Sequence, residues 1–135
     1  MPLGHLTIVI QTKALDRVHY ALMLAASHAA LDGRVHIFFG MEGVETLKSD
    51  NWENLQTGAG EHGKNYLLKL KKAGAAHPDE LLNALGELDV VISACDTALT
   101  VAGMTASSIK KGLKIQTSGL TAALANAKGG QLIYV

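Results

Sequence analysis

Short runs of β-branched and other apolar residues recur along this 135-residue chain, and a helical pattern separates each run from the next. The first run, Leu6–Ile10, is typical of a strand buried on both faces. The second, Arg34–Phe39, alternates more clearly, which predicts a less buried strand. The remaining runs are Val90–Ala94, Lys114–Thr117 and Gln131–Val135. Five strands with helical connections predict a three-layer α/β fold with a mostly parallel, five-stranded sheet.

Helical periodicity or a helix-start signal accounts for most of the chain between these strands. We expect a helix capped by Asp16 and ending near Leu31, a short helix over Val44–Lys48, helices from Lys64 to about Ala73 and over Asp79–Leu85, a helix from Asp96 to near Lys110, and one capped by Ser118. The length and the 48% apolar composition suit a single domain, residues 1–135, with its own core.

Charge and cysteine content exclude several classes of protein. Acidic and basic residues balance at 12 each, so no basic surface indicates a nucleic-acid partner. No signal-peptide pattern precedes the first strand, and Asp96 and Thr97 interrupt the apolar stretch Val90–Met104, so no membrane span is predicted. A single cysteine forms no intramolecular disulfide, which favours a cytoplasmic location. Metal-ligand spacings are missing from the sequence, and we expect neither metal nor cofactor.

Cys95, the one cysteine, is the candidate catalytic residue. It lies at the turn between the strand Val90–Ala94 and the next helix, and Asp96 and Thr97 are both good N-cap residues. Unpaired amides and the helix dipole at such a turn favour a thiolate. The alternative is that Cys95 is a small buried hydrophobic residue.

Right-handed crossovers bring every strand-to-helix loop of a parallel sheet to one edge, where ligand sites of such folds lie. We therefore expect four segments to meet there: Gln11–Lys13, Gly40–Glu42, Ala94–Thr97 and Thr117-Ser118. The residues predicted to bind substrate beside Cys95 are Gly40, Met41, Glu42, Asp96 and Thr97. For the Gly40–Val44 stretch, a plain turn is the alternative.

The glycine-rich string Gly58–Lys64 matches a dinucleotide-binding pattern and the first part of a phosphate-binding loop. It follows a polar loop rather than a strand, and Glu61 would direct negative charge at a phosphate. We therefore interpret Ser49–Gly63 as a long loop that acts as a flexible lid. His62 and His77 flank this region and are weak candidates for a base, whereas His19 and His28 are expected on helix surfaces.

Three blocks of the sequence resemble the DsrE/DsrF family of small α/β sulfur-trafficking proteins, which includes the TusD-type sulfur relays. They are the helix and strand of Ala21–Phe39, the loop Gly40–Val44, and Val91–Met104. The resemblance implies strand order 4-3-2-1-5, assembly into trimers or hexamers, and a cysteine that carries sulfur as a persulfide, which maps onto Cys95. In that order Gly40–Glu42 would flank Cys95. A flavodoxin order, 2-1-3-4-5, would instead place Gln11–Lys13 there, where the charge of Lys13 would favour the thiolate.

The resulting hypothesis is a cytoplasmic sulfur carrier. It would hold sulfane sulfur or a thiosulfonate on Cys95 and pass it to a partner, because no second cysteine is present to resolve the adduct. The expected partners are sulfur donor and acceptor proteins or small sulfur compounds, with the chain assembled as a homotrimer or homohexamer. Two alternatives stay open: a non-catalytic oligomeric binding or assembly module of the same fold, and a nucleotide- or flavin-binding domain.

Overall fold

The structure is a computed structural model that describes residues 3–48, 52–88 and 90–135. Ser49, Asp50 and Asn51, which begin the predicted loop Ser49–Gly63, lie outside the described residues.

All the strands pair in parallel, in one sheet of order β4-β3-β2-β1-β5. The strands are β1 (Leu6–Ile10), β2 (Val35–Phe39), β3 (Val90–Cys95), β4 (Gln116–Ser118) and β5 (Gln131–Tyr134). The α-helices are α1 (Leu15–Ala30), α2 (Gly63–Lys72), α3 (Pro78–Glu87), α4 (Asp96–Val101) and α5 (Leu120–Asn126). Short 3₁₀ helices cover Met41–Leu47, Trp52–Asn54 and Ala106–Ser108. The predicted α/β/α fold is confirmed, and so is the strand order 4-3-2-1-5 that the resemblance implied.

The two faces of the sheet are covered unequally. From β1 to β4 each connection steps in one direction across the sheet, whereas the connection through α5 returns to the other side of β1. Of the helices in the described residues, right-handed crossovers therefore place α5 alone on one face, opposite α1 and α3, which pack on each other and on the strands. We call the α5 side the cysteine face. By register it carries Thr7, Val9, His36, Phe38, Val91, Ser93, Cys95, Gln116, Ser118, Leu132 and Tyr134.

One short helix leaves part of the cysteine face open. Val91, Leu132 and Tyr134 are 40%, 43% and 65% exposed, respectively. On the opposite face, Ile8, Ile37 and Ala94 are fully buried. The apolar core is therefore built mainly on the side of α1 and α3.

The second strand is more buried than its sequence predicts. Every residue of β2 is buried, as every residue of β1 is, so the expectation of a less buried strand was wrong. β2 lies between β1 and β3, and its polar His36 bonds to Ser93 on the neighbouring strand, with 2.8 Å between Nε2 and Oγ. A buried polar side chain that is hydrogen-bonded does not carry the cost that would force it to the surface.

The helix after Cys95 is much shorter than predicted. It ends at Val101 rather than near Lys110, because Gly103 adopts a left-handed φ of 66° just past the helix. The amide of Met104 then bonds back to the carbonyl of Leu99 at 2.9 Å. The chain continues through the 3₁₀ turn Ala106–Ser108 to β4.

Helix starts also differ in detail from the sequence-based expectation. The N-cap of α1 is Ala14, and Asp16 lies in its first turn, where its carboxylate accepts a hydrogen bond from the Gly58 amide at 2.8 Å. The N-cap of α5 is Gly119, because Ser118 is still part of β4. The 3₁₀ helix begins at Met41, three residues before the predicted helix Val44–Lys48.

Trp52 joins three segments and does not line the cavity that Cys95 lines. Its ring is 3% exposed, and its Nε1 donates to Oδ1 of Asp79 at 2.6 Å. The Lys110 ammonium lies 4.7 Å from the ring centroid, and the Lys110 amide bonds to the Leu47 carbonyl at 2.9 Å. These contacts hold the loop after β2, the start of α3 and the connection to β4 together.

Gly43 marks a close approach of two backbone segments. A Cβ added there would lie 2.2 Å from the carbonyl oxygen of Ile10, at the end of β1. We expect Gly43→Ala to lower the free energy of unfolding by about 2 kcal/mol, because the 3₁₀ helix would have to move away from the sheet. Urea denaturation measures the change.

Gly86→Ala is the matched control for Gly43→Ala. Gly86 lies in α3, and an added Cβ would meet nothing within 4 Å. We expect this variant to be more stable by about 0.5 kcal/mol, because alanine loses less backbone entropy than glycine on entering a helix. Equal effects at the two positions would contradict the assigned close approach.

Candidate functional site

A cavity of about 470 Å³ opens at the carboxyl ends of the strands, on the cysteine face. Residues of β1, β2, β3 and β5 and of the helices α4 and α5 contribute to its wall. The lining residues are Val9, Gln11, Phe38, Gly40, Met41, Cys95, Asp96, Thr97, Gly119, Leu120 and Tyr134. The predicted meeting of loops at this edge is therefore found for Gln11, for Gly40-Met41 and for Cys95–Thr97.

Cys95 is the last residue of β3 and the N-cap of α4. It is a free thiol, 9% exposed, and lines the cavity. Within the part of the chain that the structure describes, no hydrogen bond engages its sulfur. The geometry thus presents a buried sulfur atom to an open space rather than sealing it among core side chains.

Asp96 occupies one of the backbone amides that the sequence predicts would stabilise a thiolate at Cys95. It is the first residue of α4 rather than its cap, and its Oδ1 accepts a hydrogen bond from the Thr97 amide at 2.7 Å. One of the free amides at this helix start is therefore already paired. The Asp96 side chain is exposed, and it is the one acidic or basic side chain among the described residues of the cavity wall.

Gly40 and Met41 form the wall of the cavity next to Cys95. Phe39 pairs with Ala94, so Gly40, the following residue, lies alongside Cys95 and places no side chain there. Met41 has a left-handed φ of 41°, which is uncommon for a residue with a side chain. This conformation turns the chain into the 3₁₀ helix while the 47% exposed Met41 side chain lines the cavity.

Glu42 lies on the other side of this segment, in a second cavity of about 440 Å³ that Thr12 and Lys13 also line. There Glu45 accepts ion pairs from Lys13 at 3.5 Å and from Lys48 at 3.6 Å. Lys13 does not line the Cys95 cavity, because β2 rather than β1 is the neighbour of β3. The alternative order that would have placed Lys13 beside the thiol is wrong.

Four large apolar residues of the cavity were not among the predicted site residues: Val9, Phe38, Leu120 and Tyr134. Val9 and Phe38 were assigned to strands, and their alternation gives the face on which they lie. Leu120 and Tyr134 come from α5 and β5, and the sequence does not show that these elements return to β1 over the cysteine face.

The comparison with family models assigns residues 5–131 to the DsrE/DsrF-like family. The chain belongs to the DsrE/DsrF-like family. Membership supports a sulfur-relay type of function in general. No match was found among curated proteins.

Two solved structures share this DsrE/DsrF-like fold over nearly their whole length. One is a protein of unknown function, MTH1491 from Methanobacterium thermoautotrophicum, with a TM-score of 0.57, 16% identity, and coverage of 98% of this chain and 99% of that one. The other is the ychN protein from E. coli, with a TM-score of 0.58, 13% identity and the same coverages. At these identities the likeness concerns the fold.

Three histidines of this DsrE/DsrF-like chain, His19, His62 and His77, have structural contacts outside the Cys95 cavity. His62 and His77 accept hydrogen bonds from the amides of Lys64 and Asp79 and so cap α2 and α3. His19, expected on a helix surface, is 2% exposed and bonds to the Ala76 carbonyl at 2.8 Å. No described histidine lines the Cys95 cavity.

The glycine-rich string Gly58–Lys64 forms a packed turn. The Gly60 amide bonds to the Thr57 carbonyl at 2.9 Å, and the Thr57 amide bonds to the Glu61 carbonyl at 2.9 Å. A Cβ at Gly63, where α2 begins, would lie 2.4 Å from the Trp52 carbonyl oxygen, so close packing accounts for that glycine. Among the described residues of the predicted lid, 52–63, none lines the Cys95 cavity.

Two further findings concern the described ranges as a whole. Within residues 3–48, 52–88 and 90–135, no three His, Cys, Asp or Glu side chains are grouped so that they could hold a metal ion. In the same ranges no helix has the length and apolar character needed to span a membrane.

A buried polar pair lies on the cysteine face below the cavity. His36 bonds to Ser93, which is two residues before Cys95 on β3, and the two are 4% and 2% exposed. Burial, with a smaller contribution from His5, lowers the pKa of His36 below its ordinary value. The folded chain therefore holds this imidazole neutral where the unfolded chain would protonate it.

The lowered pKa of His36 predicts a loss of stability in acid. Because the unfolded state binds the extra proton, the stabilisation is present above about pH 6.5 and is lost as the pH falls below that value, by at most about 1.4 kcal/mol per pH unit. We expect the free energy of unfolding of His36→Gln, measured by urea denaturation between pH 7.5 and 5.5, to depend less on pH. Parallel pH profiles for the two proteins would contradict the assignment.

Proposed function

We propose that this protein is a cytoplasmic sulfur carrier that holds sulfane sulfur, or a thiosulfonate, on Cys95 and passes it to a partner. The observation that carries the proposal is the free, buried thiol that faces an open cavity at the carboxyl edge of the sheet. Membership in a family with a sulfur-relay type of function supports it.

The loading step moves one neutral sulfur atom between two thiols. The Cys95 thiolate attacks the outer sulfur of a donor persulfide, R–S–SH, which forms a new S–S bond to Cys95 and breaks the S–S bond of the donor. The donor leaves as R–S⁻ and takes up the proton that Cys95 released. The exchange has no net oxidant or reductant, so it requires no cofactor.

Gly40 and Met41 support this role through the space they leave beside Cys95. Gly40 has no side chain where an added sulfur atom would project, and Met41 supplies a soft thioether wall. Asp96 and Thr97 line the same cavity, and their mutual hydrogen bond sets the turn that presents Cys95. The predicted contribution of Glu42 is not supported, because Glu42 lines the second cavity.

Unloading requires a second molecule. The chain has one cysteine, so the persulfide is released by attack of a partner's thiolate on its outer sulfur. The apolar cavity therefore has to admit both the donor and the acceptor in turn.

Mass spectrometry of the intact protein tests the carrier role. After incubation with polysulfide or tetrathionate and removal of excess donor, we expect an adduct on wild type that reducing agent removes, and none on Cys95→Ser. An adduct that persists in Cys95→Ser, or its absence from the wild type with both of these donors and with an uncharged organic persulfide, would contradict the proposal.

Gly40→Ala tests the space beside the thiol. Its added Cβ makes only an ordinary contact, 3.6 Å from Phe38, so the variant should unfold at the wild-type urea concentration. We expect it to load sulfur more slowly, by about tenfold, because the methyl group occupies the room that the incoming sulfur needs. An unchanged loading rate would show that the space beside Gly40 has no role in sulfur loading.

We further propose that the carrier assembles with copies of itself through the open part of the cysteine face. Leu120, Leu124, Leu132 and Tyr134 are 50%, 51%, 43% and 65% exposed, and all belong to α5 or β5. A group of large apolar side chains at the surface is typical of a protein interface. The trimer or hexamer that the resemblance implied would cover it.

Leu124→Arg tests this assembly. Light scattering with size-exclusion chromatography should show a homo-oligomer for wild type and smaller species for the variant, because an unpaired charge would be buried at the interface. Leu31→Arg, at the 60% exposed leucine that is the C-cap of α1, should leave the assembly intact. A monomeric wild type would rule the assembly out.

The burial of Cys95 favours one alternative, a non-catalytic assembly module in which the thiol is inert. A cysteine that is 9% exposed is a common core residue. Negligible alkylation by iodoacetamide under native conditions, together with no sulfur adduct, would support this alternative over the carrier.

A further inference from the structure

The wall of the Cys95 cavity carries almost no charge. Among the described residues that line it, Asp96 is the one carboxylic acid, and none is lysine, arginine or histidine. A sulfur oxyanion or an inorganic polysulfide that entered would lose hydration, find no cation there, and meet the Asp96 carboxylate.

Two lysines near this edge of the sheet line the other cavity. Lys13 and Lys48 line the second cavity, beyond the Met41-Glu42 segment, and both pair with Glu45. Their charges are therefore already engaged, and they do not contribute to the wall around Cys95.

The size and the mouth of the Cys95 cavity point to an apolar occupant. Its volume of about 470 Å³ is typical of a site for an organic ligand and is far larger than a thiosulfate ion requires. Met41 lines it and is 47% exposed, so a surface that an incoming molecule meets there is an apolar thioether side chain.

We propose that the Cys95 cavity selects sulfur carriers in which the sulfane sulfur is borne on an uncharged, apolar group, and that it discriminates against anionic sulfur donors. The inference rests on the proposed carrier role and narrows it, favouring the persulfide over the thiosulfonate. The transfer is the exchange given above: the R–S–SH bond between the two sulfur atoms breaks, the bond to Cys95 forms, and R–SH leaves. The same chemistry serves a small organic persulfide and a cysteine persulfide flanked by apolar residues.

Two disulfide reagents of similar size test the selectivity without any sulfur donor. Dithiodipyridine is uncharged at neutral pH, whereas dithiobis(nitrobenzoate) carries two carboxylates, and both release a coloured thiol when Cys95 attacks. With glutathione as the reference for intrinsic reactivity, we expect the ratio of the neutral rate to the anionic rate to be about tenfold higher for the protein.

Three variants test whether the charge of the cavity wall sets the ratio of the neutral rate to the anionic rate. Asp96→Asn should lower the ratio by about threefold, and Thr97→Lys, at an exposed residue of the cavity wall, by about tenfold, because each change makes the cavity less unfavourable for an anion. Val101→Lys adds the same charge at a 71% exposed position of α4 outside the cavity wall and should leave the ratio at its wild-type value. A wild-type ratio equal to that of glutathione, or no reaction with either reagent, would overturn the inference.

Sulfur transfer from matched donors completes the test. We compare benzyl persulfide, its para-carboxylate analogue, and a capped peptide with a persulfidated cysteine between two leucines, each normalised to transfer to a small thiol. Faster loading from benzyl persulfide than from its carboxylate analogue supports the inference. If only the persulfidated peptide loads Cys95, the sulfur donor is identified as a protein. Equal loading from the matched pair would overturn it, whereas a selective disulfide reaction without any sulfur adduct would reject only the carrier role.

Discussion

The handedness of the strand crossovers determines which face of the sheet each helix covers. In the order β4-β3-β2-β1-β5, the connections from β1 to β4 step one way and the last connection returns, so right-handed crossovers leave α5 alone on the cysteine face. One seven-residue helix does not cover five strands. The cavity around Cys95 and the exposed apolar surface of α5 and β5 both follow from this unequal covering.

Local sequence patterns predict most of the fold, and they fail where a contact with a distant segment decides the outcome. Leu6–Ile10 is a strand at the predicted bounds because its apolar character is local. His36 makes β2 look half-exposed until Ser93, 57 residues away, supplies its hydrogen bond. The end of α4 was a different error, since Gly103 is a helix-stop signal that the apolar pattern of the stretch obscured.

For the candidate site, too, the sequence predicts the features that depend on local patterns and misses those that depend on the path of the backbone. Placing Cys95 at the carboxyl edge needed only the strand-then-helix pattern, and the pairing of β2 with β3 brings Gly40 and Met41 to it. Glu42 and Met41 are adjacent in sequence but line different cavities, because the chain enters a 3₁₀ helix there. That backbone turn, with its left-handed Met41, has no signature in the residue types.

The position of Trp52 decides what the intrinsic fluorescence of this protein reports. It is the one tryptophan of the chain, and it packs against Asp79 and Lys110 rather than in the Cys95 cavity. Its emission therefore follows the docking of α3 and of the segment before β4. A titration monitored by this emission would miss a molecule that enters the cavity without moving those segments, whereas global unfolding would expose the indole and change the signal.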